Sequence, residues 1–180
     1  YYPTQKKNNK EYLSVLNKIT KPACVIIAVP DHLHYSVALE CLKRNINCLI
    51  VKPFTPTTKE ALKLISLANK NKLYCAVEFH KRWDKQNIYL KNLYESNQIG
   101  TPLYTWTEYS QRRSIPETTF REWVVESNIL QYLAVHYIDL ILYITGAKPI
   151  FVSAVGQKKY LIKKGLDVHD SLQCSIQWKT

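Results

Sequence analysis

The sequence contains no methionine, so Tyr1 is not expected to be a translation start and the chain is read as incomplete. It has no window near the roughly 18 apolar residues that a membrane span requires, and no signal-peptide core follows Tyr1. Membrane partners are therefore not expected, and a cytoplasmic setting is. The five cysteines, Cys24, Cys41, Cys48, Cys75 and Cys174, are odd in number and show no C-x-x-C spacing, which argues against a disulfide framework or a zinc ribbon. Free and mostly buried thiols are expected instead. The formal charge of +11 also lacks clustering: residues 1–79 carry 12 basic and 5 acidic side chains and residues 80–180 carry 13 and 9, or +7 and +4. No recognition motif accompanies that spread-out excess, so a nucleic-acid partner is not expected.

What is present is the material of a packed protein. The 180 residues are 46% hydrophobic and 22% charged, enough for one core or parts of two. In the first half, short apolar runs alternate with amphipathic segments. Cys24 to Val29 is a continuous apolar run stopped by Pro30, which reads as a strand buried on both faces. His34 to Arg44 has helical spacing, and Cys48 to Val51 repeats the strand signal before Lys52-Pro53. Thr57 three residues before Glu60 is a capping-box pattern that opens another helix, and Leu73 to Phe79 is a third strand. This β-α-β-α-β rhythm predicts part of a doubly wound parallel sheet, in which ligands bind beyond the carboxyl ends of the strands.

The second half reads differently. A helix from about Asp84 to Asn97 is expected to stop near Gly100. Leu103 to Tyr109 and Leu172 to Trp178 alternate with period two, as one-sided, mostly antiparallel strands do. Ile129 to Ile144 is apolar nearly all round and reads as a buried helix. The division is placed near residue 80, giving domains 1–80 and 81–180, an α/β domain followed by an α+β domain with an open sheet. The chain stops directly after a strand, again as an incomplete chain would.

Lys52 follows an all-apolar strand, so its ammonium is expected at the sheet's carboxyl edge, where it could stabilise a hydroxyl losing its proton or simply reach water. His136 and Asp139 lie in the apolar helix and share a face with Tyr132. Buried ionisable groups are usually paired or functional, and histidine suits proton abstraction near neutral pH. His32 and His34 form an H-x-H pair with no third ligand, so no metal site is expected; a loop and helix start beside a dinucleotide is the better reading. His80-Lys81-Arg82-Trp83 offers donors and an aromatic face to a polyhydroxylated substrate, or else an interdomain salt-bridge patch.

The ordered set V-P-D-H-L-H, strand-K-P, F-H-K-R-W-D, H-Y-I-D-L and G-A-K-P resembles the Gfo/Idh/MocA oxidoreductases over nearly all of residues 20–178. The resemblance implies a Rossmann-type sheet, NAD or NADP as cofactor, and a sugar, inositol or sugar derivative as substrate. It implies Lys52 and His136 as catalytic residues, with Ala28, Val29, Pro30, His34, Lys52 and Pro53 lining the nicotinamide side. Arg82 and Trp83, with Tyr132 and Asp139, would meet the substrate. By the same family analogy, an exposed sheet face would suggest a homo-oligomer. The departures are a missing G-x-G-x-x-G turn, Tyr132 where the family carries aspartate, Val51 where it carries glutamate, and Glu126-Ser127-Asn128 in place of a glycine-rich stretch. They keep open a non-catalytic sugar sensor, dinucleotide sensor or partner-binding subunit on the same fold.

Overall fold

The computed structural model describes residues 10–179. The chain divides into two compact units, with the break in sequence between Glu78 and Phe79.

In the first unit, α1 (Tyr12–Lys18) precedes β1 (Cys24–Ile27), α2 (His34–Lys43), β2 (Asn47–Val51), α3 (Thr58–Asn71) and β3 (Cys75–Glu78). The strands are parallel in the order β1-β2-β3, the sheet that the alternating sequence predicts. Register sets the core: Val25, Cys48 and Cys75 stand side by side, as do Ile27 and Ile50 with Val77. Those rows face Leu16, Ala38, Cys41, Leu42, Leu64 and Ala68 from the three helices. Each fully buried aliphatic side chain of this kind contributes roughly 1.5–3 kcal/mol of transfer free energy. The capping box forms as read: Thr57 Oγ1 accepts the Glu60 N–H at 3.3 Å and donates to Glu60 Oε2 at 2.9 Å, which fixes the start of α3. Asn47 ties the amino edge of the sheet, its side-chain amide donating to Ala23 O and accepting from Tyr74 N–H.

One expectation for this sheet fails. The run from Cys24 is not buried on both faces: Ile26 is 70% exposed. Side chains alternate along a strand, and the helices among the described residues cover the face that Ile27 occupies, so Ile26 points away from them. The thiols differ from expectation for the same kind of reason. All five are free, but Cys24 and Cys174 are exposed.

The second unit contains α4 (Lys85–Glu95), α5 (Val135–Thr145), β4 (Lys148–Gln157) and β5 (Ser171–Lys179). Helix α4 packs on α5. It ends at a left-handed Asn97, with φ of 57°, ahead of the expected stop at Gly100; asparagine is among the few residues that accept that conformation readily. Helix α5 ends at Gly146, whose φ of +69° a side chain would strain. Just before α5, Leu130–Ala134 winds as a π-turn, so the apolar stretch read as one helix is two geometries in series.

β4 and β5 pair antiparallel from Lys148↔Lys179 to Gln157↔Ser171. The connection between them is pinned by Asp170, whose carboxylate accepts the backbone N–H groups of Lys159, Tyr160 and Leu161. Those bonds, Leu161's first, hold its carboxyl below the ordinary aspartate range. Leu103 to Tyr109 is not a strand. Its alternating side chains stand largely in solvent, with Leu103 at 95% exposure, and no ladder among the described residues includes it. Alternation makes a strand only where a neighbouring strand supplies hydrogen-bond partners.

Candidate functional site

The two units bring their ionisable residues to different structural settings. In the first, the chemistry collects where β1, β2 and β3 end. Beyond β1, Ala28, Val29 and Pro30 lead into a single 3-10 turn, Asp31–Leu33, and then into α2. Beyond β2 come Lys52 and Pro53, joined by a cis peptide. β3 ends at Glu78, the register partner of Val51.

His34 binds two of these strand ends together. It is completely buried, with Nδ1 at 2.6 Å from Pro53 O and Nε2 at 2.9 Å from Val29 O. The ring is thus spent on backbone carbonyls. Through these two bonds it fixes the segments carrying Val29 and Pro53 to each other. His32 lies on the same turn, but among the described residues no group of three His, Cys, Asp or Glu side chains could hold a metal ion.

Lys52 is half-buried. Burial is the largest influence on its ammonium and pulls its pKa below the ordinary lysine value, while the carboxylates of Asp31 and then Glu78 pull the other way. Asp31 is itself buried, at 5% exposure, and a buried carboxylate requires compensation by cations or donors. Two carboxylates on the neighbouring strand ends therefore help keep a partly desolvated lysine charged. Neither was singled out from sequence. Only the strand order shows that Asp31 and Glu78 flank the end of β2.

In the second unit, α5 presents His136 and Asp139 on one buried face. The His136 ring meets His80 edge-on at 4.4 Å between centroids and Phe79 at 6.2 Å. Asp139 accepts two bonds from one guanidinium, from Arg82 Nε at 2.7 Å and Nη2 at 2.5 Å. That bidentate pair holds the Arg82 pKa above its ordinary value, and Arg82 also lies over the rings of Tyr143 and Phe79. Asp139 thus engages Nε and Nη2 of Arg82 in an ion pair internal to the second unit, not the interdomain patch that the sequence offered as an alternative. Trp83 is 70% exposed.

Tyr132 packs on Phe120 at 4.9 Å and Trp123 at 6.3 Å between ring centroids. A broad open concavity in this unit is lined by Tyr132 and Tyr137 but not by His136, Asp139 or Arg82, which separates it from the ionisable cluster. The imidazole of His80 is the neighbour of His136 that sequence reading passed over. A histidine at the start of a 3-10 turn gives no sign of its partner 56 residues later.

Among the described residues no helix is long and apolar enough to cross a membrane. Comparison with known proteins agrees with both halves of the architecture. Residues 4–79 match the family model described as "Oxidoreductase family, NAD-binding Rossmann fold", and residues 88–180 match that of the GFO/IDH/MocA C-terminal domain. The UDP-N-acetylglucosamine 3-dehydrogenase of Acidithiobacillus ferrooxidans is 34% identical over 132 residues, 73% of this chain and 39% of that protein. An inositol 2-dehydrogenase of Salmonella typhimurium is 26% identical over 76% of this chain and 41% of its own length. Among solved structures, myo-inositol 2-dehydrogenase from Lactobacillus plantarum superimposes with a TM-score of 0.80 at 16% identity, over 93% of this chain and 50% of that one. The chain thus spans about two fifths of the curated relatives it matches. With both domain models matched in order and the parallel sheet in place, the chain belongs to the GFO/IDH/MocA oxidoreductase family.

Proposed function

We propose that the protein carrying this chain is an NAD- or NADP-dependent oxidoreductase acting on a ring alcohol of a sugar, inositol or sugar derivative. The observation that carries this reading is Lys52, a charged and partly desolvated lysine at the end of the second strand of a unit matched as an NAD-binding Rossmann domain. The strand-end segments fit the nicotinamide end of a dinucleotide: Ala28, Val29, Pro30, Lys52 and Pro53 would hold it, with His34 fixing the backbone behind them. Residues 1–99 contain no glycine, so no glycine-rich turn for the pyrophosphate lies there. When bound, the cofactor supplies the acceptor for the hydride leaving the carbinol carbon. Lys52 stabilises the developing negative charge on the alcohol oxygen, and His136 takes the hydroxyl proton. Trp83 offers its exposed ring to the substrate, while Arg82 and Asp139 hold the start of that segment to α5. The names of the relatives, one acting on a nucleotide sugar and others on inositol, support a cyclic polyhydroxylated substrate.

The test is reduction of NAD or NADP by the full-length protein across a panel of sugars, inositols and nucleotide sugars. Turnover of at least one is expected. Saturable binding with no turnover of any would favour the sensor reading instead.

The flanking carboxylates make a second prediction. Lys52 donates only while protonated, and burial lowers its pKa, so turnover is expected to fall as pH rises through a value below that of free lysine. Asp31→Asn removes an anion that keeps the proton on, which lowers the Lys52 pKa further. The alkaline limb of the kcat profile is therefore expected to move to lower pH in Asp31→Asn. A limb that stays in place or moves up would show that Asp31 does not act on Lys52.

A further inference from the structure

Four of the five cysteines belong to the first unit, and two of them meet. Cys48 and Cys75 are register partners on the adjacent parallel strands β2 and β3. Cα partners on neighbouring strands point their side chains to the same face, and here the Cys48 S–H donates to Cys75 Sγ across 3.4 Å. We propose that Cys48 and Cys75 are an oxidisable pair that closes to an intramolecular disulfide when the protein meets a hydroperoxide.

The backbone is already suited to the bond. Paired strands lie roughly 4.8 Å apart, inside the Cα separation of about 4.4–6.8 Å that disulfides span. Closing the sulfurs to bonding distance asks for about 1.4 Å of movement, within reach of a change in the two side-chain torsions. The two thiols are also unlike. Cys48 is completely buried, whereas Cys75 is partly exposed, so a small oxidant reaches Cys75 first. The hydrogen bond from Cys48 pulls the Cys75 thiol below the ordinary cysteine value, against the effect of burial, and pushes Cys48 above it. Cys41, buried on α2, is a weaker candidate: burial pushes its thiol up to about 11.

The steps balance. Cys75 sulfur attacks one peroxide oxygen, an S–O bond forms, the O–O bond breaks, and the departing oxygen takes up the thiol proton as an alcohol or water. Cys48 sulfur then attacks Cys75 sulfur, the S–S bond forms, the S–O bond breaks, and hydroxide leaves with the Cys48 proton as water. Two thiols supply the two electrons that the peroxide accepts. The bond would close the segment from Cys48 to Cys75, which carries Lys52 and α3. None of this depends on the oxidoreductase reading.

The experiment is to treat the native full-length protein with hydrogen peroxide, block remaining thiols, digest without reduction and map the linked peptides. The expected result is loss of two hydrogens from the intact mass and a Cys48–Cys75 linked peptide pair, both reversed by dithiothreitol. Cys48→Ser is expected to halt at a Cys75 sulfenic acid that dimedone traps, and Cys75→Ser to leave Cys48 reduced. A linkage to any other cysteine would overturn the proposal, and so would an unlinked protein under peroxide that oxidises free cysteine fully. The mapping on the natural sequence decides the matter even where a variant fails to fold.

Discussion

Replacing Lys52 by Ala in the full-length protein is expected to lower turnover about 10²–10³-fold, the usual loss when one preorganised donor to a developing oxyanion is removed. Affinity for the nicotinamide dinucleotide is expected to change little. The separation follows from where the charge is needed. A ground-state alcohol carries little negative charge, so an ammonium beside it contributes mainly once the proton has begun to leave. That contribution is larger in a desolvated setting than in water, and burial is the leading influence on Lys52. The dinucleotide, by contrast, would on the proposed reading rest on the backbone of Ala28, Val29 and Pro30, which the substitution leaves intact. Steady-state turnover and dinucleotide binding by fluorescence check the two halves. Equal turnover in Lys52→Ala and the natural sequence would remove the lysine from the chemistry. A drop in binding as large as the drop in turnover would reassign it to cofactor recognition.

How much of this was legible in the sequence depends on how local each signal is. The β-α-β-α-β order was legible because each element announces itself within a few residues: an apolar run ending at Val51, Thr57 paired with Glu60, the helical stripe from Ala61. Features that rest on distant partners were not. Arg82 and Asp139 are 57 positions apart, and nothing near Arg82 names the carboxylate that engages it. Leu103 to Tyr109 carries the alternation of a strand, yet pairing is a property of the neighbour rather than of the run. Cys48 and Cys75 sit in separate apolar runs, and only the β2–β3 register sets one sulfur against the other.

His34, whose ring is held between two backbone carbonyls, gives the largest expected stability effect. His34→Ala is expected to destabilise the first unit by about 3 kcal/mol, since it combines a cavity in a closely packed region with the loss of donors to buried carbonyls. The ring is completely enclosed. Its nitrogens face Pro53 O and Val29 O; a neutral imidazole can donate to one of these and an imidazolium to both. No small side chain reaches both carbonyls, so the substitution unties the two strand ends as well as emptying the space. His34→Gln, which keeps an amide N–H, is expected to recover part of the loss by reaching one carbonyl. Urea unfolding followed through the midpoint at unchanged slope measures both variants. A loss under about 1 kcal/mol for His34→Ala, near the centre of the range for ordinary substitutions, would mean that the two carbonyls are satisfied without the ring. The same variants separate positioning from packing. If the imidazole sets where Lys52 stands, turnover in His34→Ala falls further than its folded fraction at the assay temperature accounts for, with Lys52 itself still present, and His34→Gln recovers turnover along with stability. Turnover that tracks the folded fraction alone would leave His34 a packing residue.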